Sequence, residues 1–395
     1  MSDARQIEAD IYERLSKVID PELGRSVTDL GMIAAIEAAP ASSDAGTYDV
    51  TVHVELTVPG CPLSETITSQ INGAVSSYPG AQLLPHIEVG SMSRDKLADL
   101  VADLKAERKQ NPFSKPGVKT RIFAIASGKG GVGKSSVTAN LAATFAALGF
   151  DTAAIDADIY GFSLPRLFGV HTQPTNLNGM LMPVTAWGVK LISIGMFAGA
   201  DRAILWRGPR LQRSLEQFLS DVWWGEPDVL LLDLAPGTGD MAISVAQALP
   251  NAELVVVTTP QPSASDIAVR SGLVALQVPM KVRGVVENMS YYEHKGEKLE
   301  IFGAGGGQRV SEQLTQALGY DVPLMAQLPL EPEVRETGEA GRPAVLPTLP
   351  CLWQCWTPTA LCVRMALARP SEGWLNGCWQ CEPAQPHTFV GGVGV

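Results

Sequence analysis

The chain reads as an α/β protein built on a doubly wound, mostly parallel sheet, with a small α+β unit in front of it and an irregular tail behind. Three observations predict this. The segments "RIFAIAS", "DTAAIDA", "VKLISI", "DVLLLDLA", "AELVVVTTP" and "VRGVVEN" are apolar without polar alternation, which marks strands covered on both faces. Helical stretches alternate with them, as in a doubly wound sheet. Finally, "GKGGVGKS", Gly128 to Ser135, follows the first of these strands and opens the helix "SSVTANLAATFAAL", the context a glycine-rich phosphate loop requires.

The elements follow in order. Residues 4–18 repeat apolar side chains at helical spacing (Ile7, Ile11, Leu15, Val18) and are closed by Asp20-Pro21. "DLGMIAAIEAA" and "YDVTVHVELTV" read as strands, the second from the alternation of Val50, Val52, Val54 and Leu56. "PGCPLSETITSQINGAVSSYPGA" is a turn and a helix, and "QLLPHIEVG" is a further strand. A charged helical run from Arg94 to Lys109 leads into the Pro/Gly/Lys stretch "KQNPFSKPGVK". The expected domains are therefore 1–108, a small α+β unit; 109–120, a linker; 121–346, the α/β domain; and 347–395, a Cys/Trp-rich tail. A chain of 395 residues has room for two or three domains at roughly 100–200 residues each.

Composition narrows the function classes. A net charge of −11 with no basic cluster weighs against a nucleic-acid partner. There is no apolar run of membrane-spanning length and no secretory leader at the N-terminus, so the expected setting is the reducing cytoplasm, without a membrane partner. The six cysteines are accordingly read as free thiols or metal ligands before disulfides, and the Asn288-Met289-Ser290 sequon as coincidence.

The loop at Gly128 carries the chemistry. "GKGGVGKS" fits G-x-x-x-x-G-K-[ST], in which backbone N–H groups curl around phosphates, Lys134 reaches the β and γ oxygens and the Ser135 hydroxyl is offered to Mg²⁺. The nucleotide-binding residues expected are Gly128, Lys129, Gly130, Gly131, Val132, Gly133, Lys134, Ser135 and Ser136. A rival exists: Gly128, Gly130 and Gly133 also satisfy G-x-G-x-x-G, and Asp156 follows Gly133 by 23 residues, the spacing of a dinucleotide site. Lys134-Ser135 would be superfluous for a pyrophosphate. A second acidic strand end, "LLLDLAPGTGD", places Asp233 where a Mg²⁺-coordinating carboxylate belongs, and Gly239 and Asp240 follow as a loop able to sense a γ-phosphate. These features favour a nucleoside triphosphate.

"KGGVGKSS" resembles the deviant Walker A signature of the class that includes MinD, ParA and the nitrogenase iron protein. With "DADIYGFSLPRLFG", "WRGP", "DLAPGTGD", "VVENMSYY", "EIFGAGGG" and "GEAGRPA", the span from Arg121 to about Leu346 is similar to the Mrp family of iron–sulfur cluster carrier ATPases. The front unit, with "DPELGRSVTDLGMI" and "TVPGCPLSETI", resembles a small iron–sulfur assembly domain often fused ahead of such proteins. The resemblance implies ATP and Mg²⁺ as ligands, an iron–sulfur cluster as cargo, apoproteins as recipients and a homodimer. It implies that Lys129 reaches across the dimer to the partner's phosphates, that Asp158 positions the attacking water, that Asp233 holds a Mg²⁺-bound water, that Asp240 belongs to switch II and that Asn288 contacts the adenine. The local alternative for Asp158 is a helix-capping or strand-end aspartate, and for Asn288 a buried turn asparagine. Slow hydrolysis that toggles dimer contacts is the expected activity. A positioning or scaffolding switch without cluster cargo is the alternative.

The sequence departs from that family in one place. The Cys-x-x-Cys pair expected after "ENMSY" is replaced by "YYEHKGEKLEIFG", without cysteine, so thiolate ligation is not supported there. Cys61, in a turn before a helix, and Cys378 and Cys381, a C-x-x-C near Cys351 and Cys355, remain as weak candidates for cluster ligands. The tail holds four of the eight tryptophans and no lysine, and replaces the helix expected after "GRPAVL". It reads as a frameshift product or aberrant terminus, with cluster ligation, disorder or partner contact as alternatives. Ala235 stands where the family shows proline, which should leave Asp233 in place. His294 is expected to be a solvated loop residue, "GAGGG" at 303–307 a flexible turn, and Trp223-Trp224 packing.

Overall fold

The computed structural model describes residues 2–21, 23–41, 46–57, 64–106, 111–115, 117–158, 161–177, 179–197, 208–237 and 240–345. The tail from residue 346, Cys61 and Gly239 lie outside these.

The front unit begins with α1 (Ser2–Leu15), whose Ile7, Ile11 and Leu15 are buried as the spacing requires. Strands β1 (Ile33–Pro40), β2 (Thr47–Leu56) and β3 (Gln82–Ser91) form a sheet in that order, β1 antiparallel and β3 parallel to β2. The first strand starts at Ile33; Leu30-Gly31 is a turn, with Leu30 N–H bonded to the Ser26 carbonyl. Along β2, Val50, Val52, Val54 and Leu56 point into the core while Thr51, His53 and Glu55 face outward, the period-two pattern of a half-covered sheet. Helix α2 (Ser64–Ser76) crosses from β2 to β3 and buries Ile67, Ile71 and Val75, and α3 (Arg94–Ala106) adds Val101 and Leu104 to the same core.

In the second domain the parallel strands are β4 (Arg121–Ser127), β5 (Thr152–Ala157), β9 (Val189–Ser193), β10 (Val229–Leu234), β11 (Glu253–Thr258), β12 (Lys281–Glu287) and β15 (Leu324–Gln327). Their order is β15-β12-β11-β4-β10-β5-β9-β8, where β8 (Val184–Ala186) is the antiparallel edge strand. Helices α4 (Lys134–Ala147) and α5 (Leu164–Leu167) cover one face; α6 (Gly208–Ser220), α7 (Asp240–Ala248) and α9 (Gly306–Leu318) cover the other. The absence of alternation now has its cause: in β4, Ile122, Ala124 and Ala126 enter one core and Phe123 and Ile125 the other. Helix α8 (Pro262–Gly272) follows β11 and contributes Ala264 to one core and Ala268 to the other. Two short hairpins, β6–β7 (Thr175–Leu177, Met180–Met182) and β13–β14 (Tyr292–His294, Glu297–Leu299), and helix α10 (Pro332–Glu339) complete the domain.

The domains share a core. Leu177, Met180 and Met182 of β6–β7, together with Trp223, join the apolar cluster of the front unit, and the Trp223 indole donates to the Leu23 carbonyl at 3.3 Å. Trp224, one residue on, turns the opposite way and is fully buried under the large sheet, donating to the Phe218 carbonyl at 2.7 Å.

Candidate nucleotide site

The site stands where β4, β5, β10 and β12 end on the same edge of the sheet, the carboxyl edge at which doubly wound folds hold their ligands. The phosphate loop turns from β4 into α4. Gly133, at φ +81°, is in the left-handed region at the helix N-cap, and an added Cβ there would run into the Asn288 amide. Gly128 lies directly against the α8 backbone at Ile267-Ala268, leaving no room for a side chain.

Lys134, Ser135 and Asp233 come together. Lys134 Nζ is 2.7 Å from Asp233 Oδ1, and the Ser135 hydroxyl donates to Asp233 Oδ2 at 2.5 Å. The Thr138 hydroxyl, one turn along α4, lies 2.8 Å from Asp233 Oδ1 and 3.0 Å from the Lys134 carbonyl oxygen, sharing its one proton between them. The Lys134 side chain is 6% exposed and that of Asp233 0%. Thr138 was not singled out from sequence; its position four residues after Lys134, on the same helix face, is the signal that could have found it. Asp233 is paired on both sides, to Ile125 of β4 and Asp156 of β5, so Ala235 leaves it in place. The chain after β10 is fixed to β4 by the Gly237 N–H on the Ser127 carbonyl, 2.9 Å. Asp240 opens α7.

Hard oxygen donors on Ser135 and Asp233, side by side next to a phosphate loop, fit a Mg²⁺ ion. Among the described residues no group of three or more His, Cys, Asp and Glu could hold a metal by themselves. All six cysteines, Cys61, Cys351, Cys355, Cys362, Cys378 and Cys381, lie outside the described residues.

Lys129 stands apart from Lys134. Its Nζ donates to the Ser263 hydroxyl at 3.3 Å, on the first turn of α8. Asp158 is buried just past β5 and accepts from the Gly161 N–H at 3.0 Å. Asp156 is deeper still. Its Oδ1 accepts from the Asp158 N–H, and its Oδ2 from Ser163 N–H, Leu164 N–H and the Ser193 hydroxyl. Burial first, and the Asp233 charge second, push its carboxyl well above the usual carboxylate range. Asp156 is fully buried, with its oxygens turned to backbone N–H groups and Ser193, so no ribose can reach it and the dinucleotide reading loses its acidic residue.

Beside the phosphate loop lies a cavity of about 350 Å³, bordered by Gly133, Ser136, Asn288, Met289, Leu330 and Val334. Its volume falls in the range of small-molecule sites, and charged side chains, Arg166, Glu331, Arg335 and Glu339, stand among the apolar ones that line it. Asn288 is placed by its backbone bond to Thr258 O (2.8 Å), and its side-chain amide donates to the Val132 carbonyl at 2.9 Å, so it ties the end of β12 to the phosphate loop. Glu331, at the rim, has its carboxyl raised by burial and by Glu293 and Glu333.

Glu287, the first residue of "ENMS", escaped sequence reasoning. It is buried, accepts from Ser290 Oγ (2.9 Å) and Gln327 Nε2 (2.8 Å), and receives the Gly307 N–H at the start of α9. The "GAGGG" run is therefore not the flexible turn expected: its last two glycines open α9 and seat a carboxylate of the protein itself. His294 is exposed on the β13–β14 hairpin, stacked on Tyr292 at 6.2 Å.

Residues 118–350 match the family described as NUBPL iron-transfer P-loop NTPase, and residues 8–82 match the iron–sulfur cluster assembly protein family. The chain is 47% identical over 345 residues to the iron–sulfur cluster carrier protein of Mycobacterium tuberculosis (strain ATCC 25618 / H37Rv), covering 86% of this chain and 88% of that one. It is 35% identical over 326 residues to the carrier of the same name from Bacillus subtilis (strain 168), covering 82% and 88%. Among solved structures, a nucleotide-binding protein from Archaeoglobus fulgidus in complex with ADP is 32% identical, with a TM-score of 0.48 over 61% of this chain and 91% of that one.

Proposed function

This chain belongs to the iron-transfer P-loop NTPase family, and on that premise we propose that it is an ATP-hydrolysing iron–sulfur cluster carrier that hands clusters to apoproteins in the cytoplasm. The observation that carries the nucleotide half is the convergence of Lys134, Ser135, Thr138 and Asp233 on one strand edge, next to a cavity of about 350 Å³. The family description, iron transfer, and the shared name of the relatives support the cargo half.

In this reading the backbone N–H groups of Gly128 to Gly133 enclose the phosphates and Lys134 neutralises the β and γ oxygens. Mg²⁺, when bound, neutralises phosphate charge, with the Ser135 hydroxyl and Asp233 as the residues that would hold it. Asp158 aims the attacking water. Asn288 and Met289 seat the adenine at the cavity floor. Lys129, whose Nζ lies at the surface of its own subunit, is assigned to the phosphates of a second copy, which ties hydrolysis to dimerisation. Gly239 and Asp240 form the switch that follows β10. Turnover is slow, because such a switch uses hydrolysis to change its contacts.

The test is Lys134→Ala. ATP hydrolysis should disappear, and undiminished turnover in the variant would remove the nucleotide assignment.

A further inference from the structure

Asp156 is the acidic residue that the dinucleotide spacing brought forward and that the nucleotide reading leaves without a role. It is completely buried, with no ion pair among the described residues. A buried carboxylate is expensive unless donors surround it. Here four donors do: Asp158 N–H at 3.2 Å on Oδ1, and Ser163 N–H at 3.0 Å, Leu164 N–H at 3.1 Å and Ser193 Oγ at 3.3 Å on Oδ2.

The donors sort into two groups by place. Asp158 N–H lies just past the end of β5, on the residue whose carboxylate is assigned to the attacking water. Ser163 and Leu164 lie where the chain returns to the domain, at the start of α5, which bears Arg166 and Leu167 on the wall of the nucleotide cavity. Ser193, the register partner of Asp156 at the end of β9, closes the arrangement from the sheet side. One side chain thus holds the backbone on both sides of Asp158. On its other flank, the register partner is Asp233 of β10.

We propose that Asp156 is a positioning residue of the hydrolytic reaction: it grips the chain at Asp158 and at Ser163-Leu164, and so fixes the Asp158 carboxylate relative to the Lys134–Asp233 pair. An oxygen is needed on each side because both sides face donors, and a carboxyl group supplies two. An asparagine offers one acceptor and sets its amide N–H against the backbone N–H on the other side. Asp156 touches neither substrate nor metal, and its effect passes through Asp158.

The inference rests on the ATPase reading, and Asp156→Asn in the full chain separates the two. The substitution should lower kcat about 10²-fold, the scale of a small misplacement of a catalytic group, while KM and the affinity for a non-hydrolysable ATP analogue stay within about threefold. Amide exchange at Ser163 and Leu164 should quicken, with the protection of β4 and β10 unchanged. Undiminished kcat in the variant, or a loss matched by the loss of analogue affinity, overturns the inference. Absence of hydrolysis by the unsubstituted chain overturns the ATPase reading as well. If Asp156→Asn does not fold cooperatively, Ser193→Ala removes one donor; kcat should fall about threefold to tenfold at constant KM, and an unaltered kcat counts against the inference.

Discussion

Lys134 and Asp233 form a buried ion pair, 2.7 Å apart, at the point where the phosphate loop meets β10. Charges taken out of water are tolerated only in company, so removing the lysine leaves Asp233 with the Ser135 and Thr138 hydroxyls alone. Lys134→Ala should therefore lower the stability of the ATPase domain by about 3–5 kcal/mol in urea unfolding, besides abolishing hydrolysis. Asn288 acts through both its backbone and its amide. Loss of the Val132 tether in Asn288→Ala should weaken ATP binding about tenfold in an equilibrium titration, about 1.4 kcal/mol, with little effect on kcat at saturation. At this scale the sequence was informative where function is local. The glycine-rich loop specifies itself within nine residues, and Asp233 announces itself at an apolar strand end. Glu287, Thr138 and the grip of Asp156 depend on what the fold brings alongside, and no short pattern encodes them.

The parallel strands were the most legible elements, because burial on both faces writes an uninterrupted apolar run into each. β6, β7, β13 and β14 were not foreseen. Each spans three residues, too short for a period to show, and the β13–β14 turn relies on Lys295 and Gly296, both at positive φ. The β6–β7 hairpin matters most, since with Trp223 it enters the core of the front unit. Trp223→Ala removes that apolar anchor and its bond to Leu23. Thermal unfolding should split into two transitions, with the front unit destabilised by about 3–5 kcal/mol, while ATP affinity is retained. A single unshifted transition would mean that the tryptophan does not join the domains. The "ENMS" corner is a second joint. Glu287→Gln should loosen the α9 N-terminus and cost about 1–3 kcal/mol, because Gly307 N–H loses a charged acceptor.

In the whole molecule, a P-loop NTPase domain and an assembly-type unit are packed on one another through a common apolar cluster. The architecture and both resemblances are legible in the sequence, because they rest on long, regular segments. The way the domains meet was not, since Trp223 and the β6–β7 hairpin carry no signal of their partner. A dimer formed around ATP is the proposed working state, with Lys129 supplying charge in trans. Lys129→Ala should bind ATP normally, stay monomeric in sedimentation with ATP and lose hydrolysis by about 10³-fold or more. The proposal as a whole meets its most direct test in cluster delivery. The full chain is reconstituted anaerobically with iron and sulfide, freed of excess reagents, and mixed with an apoprotein whose activity requires a [4Fe–4S] cluster, with and without ATP, alongside Lys134→Ala. The predicted result is visible cluster absorption on the carrier and recovery of the acceptor's activity, with a response to ATP that Lys134→Ala lacks. A chain that takes up no cluster and restores no acceptor activity would contradict the assignment as a carrier.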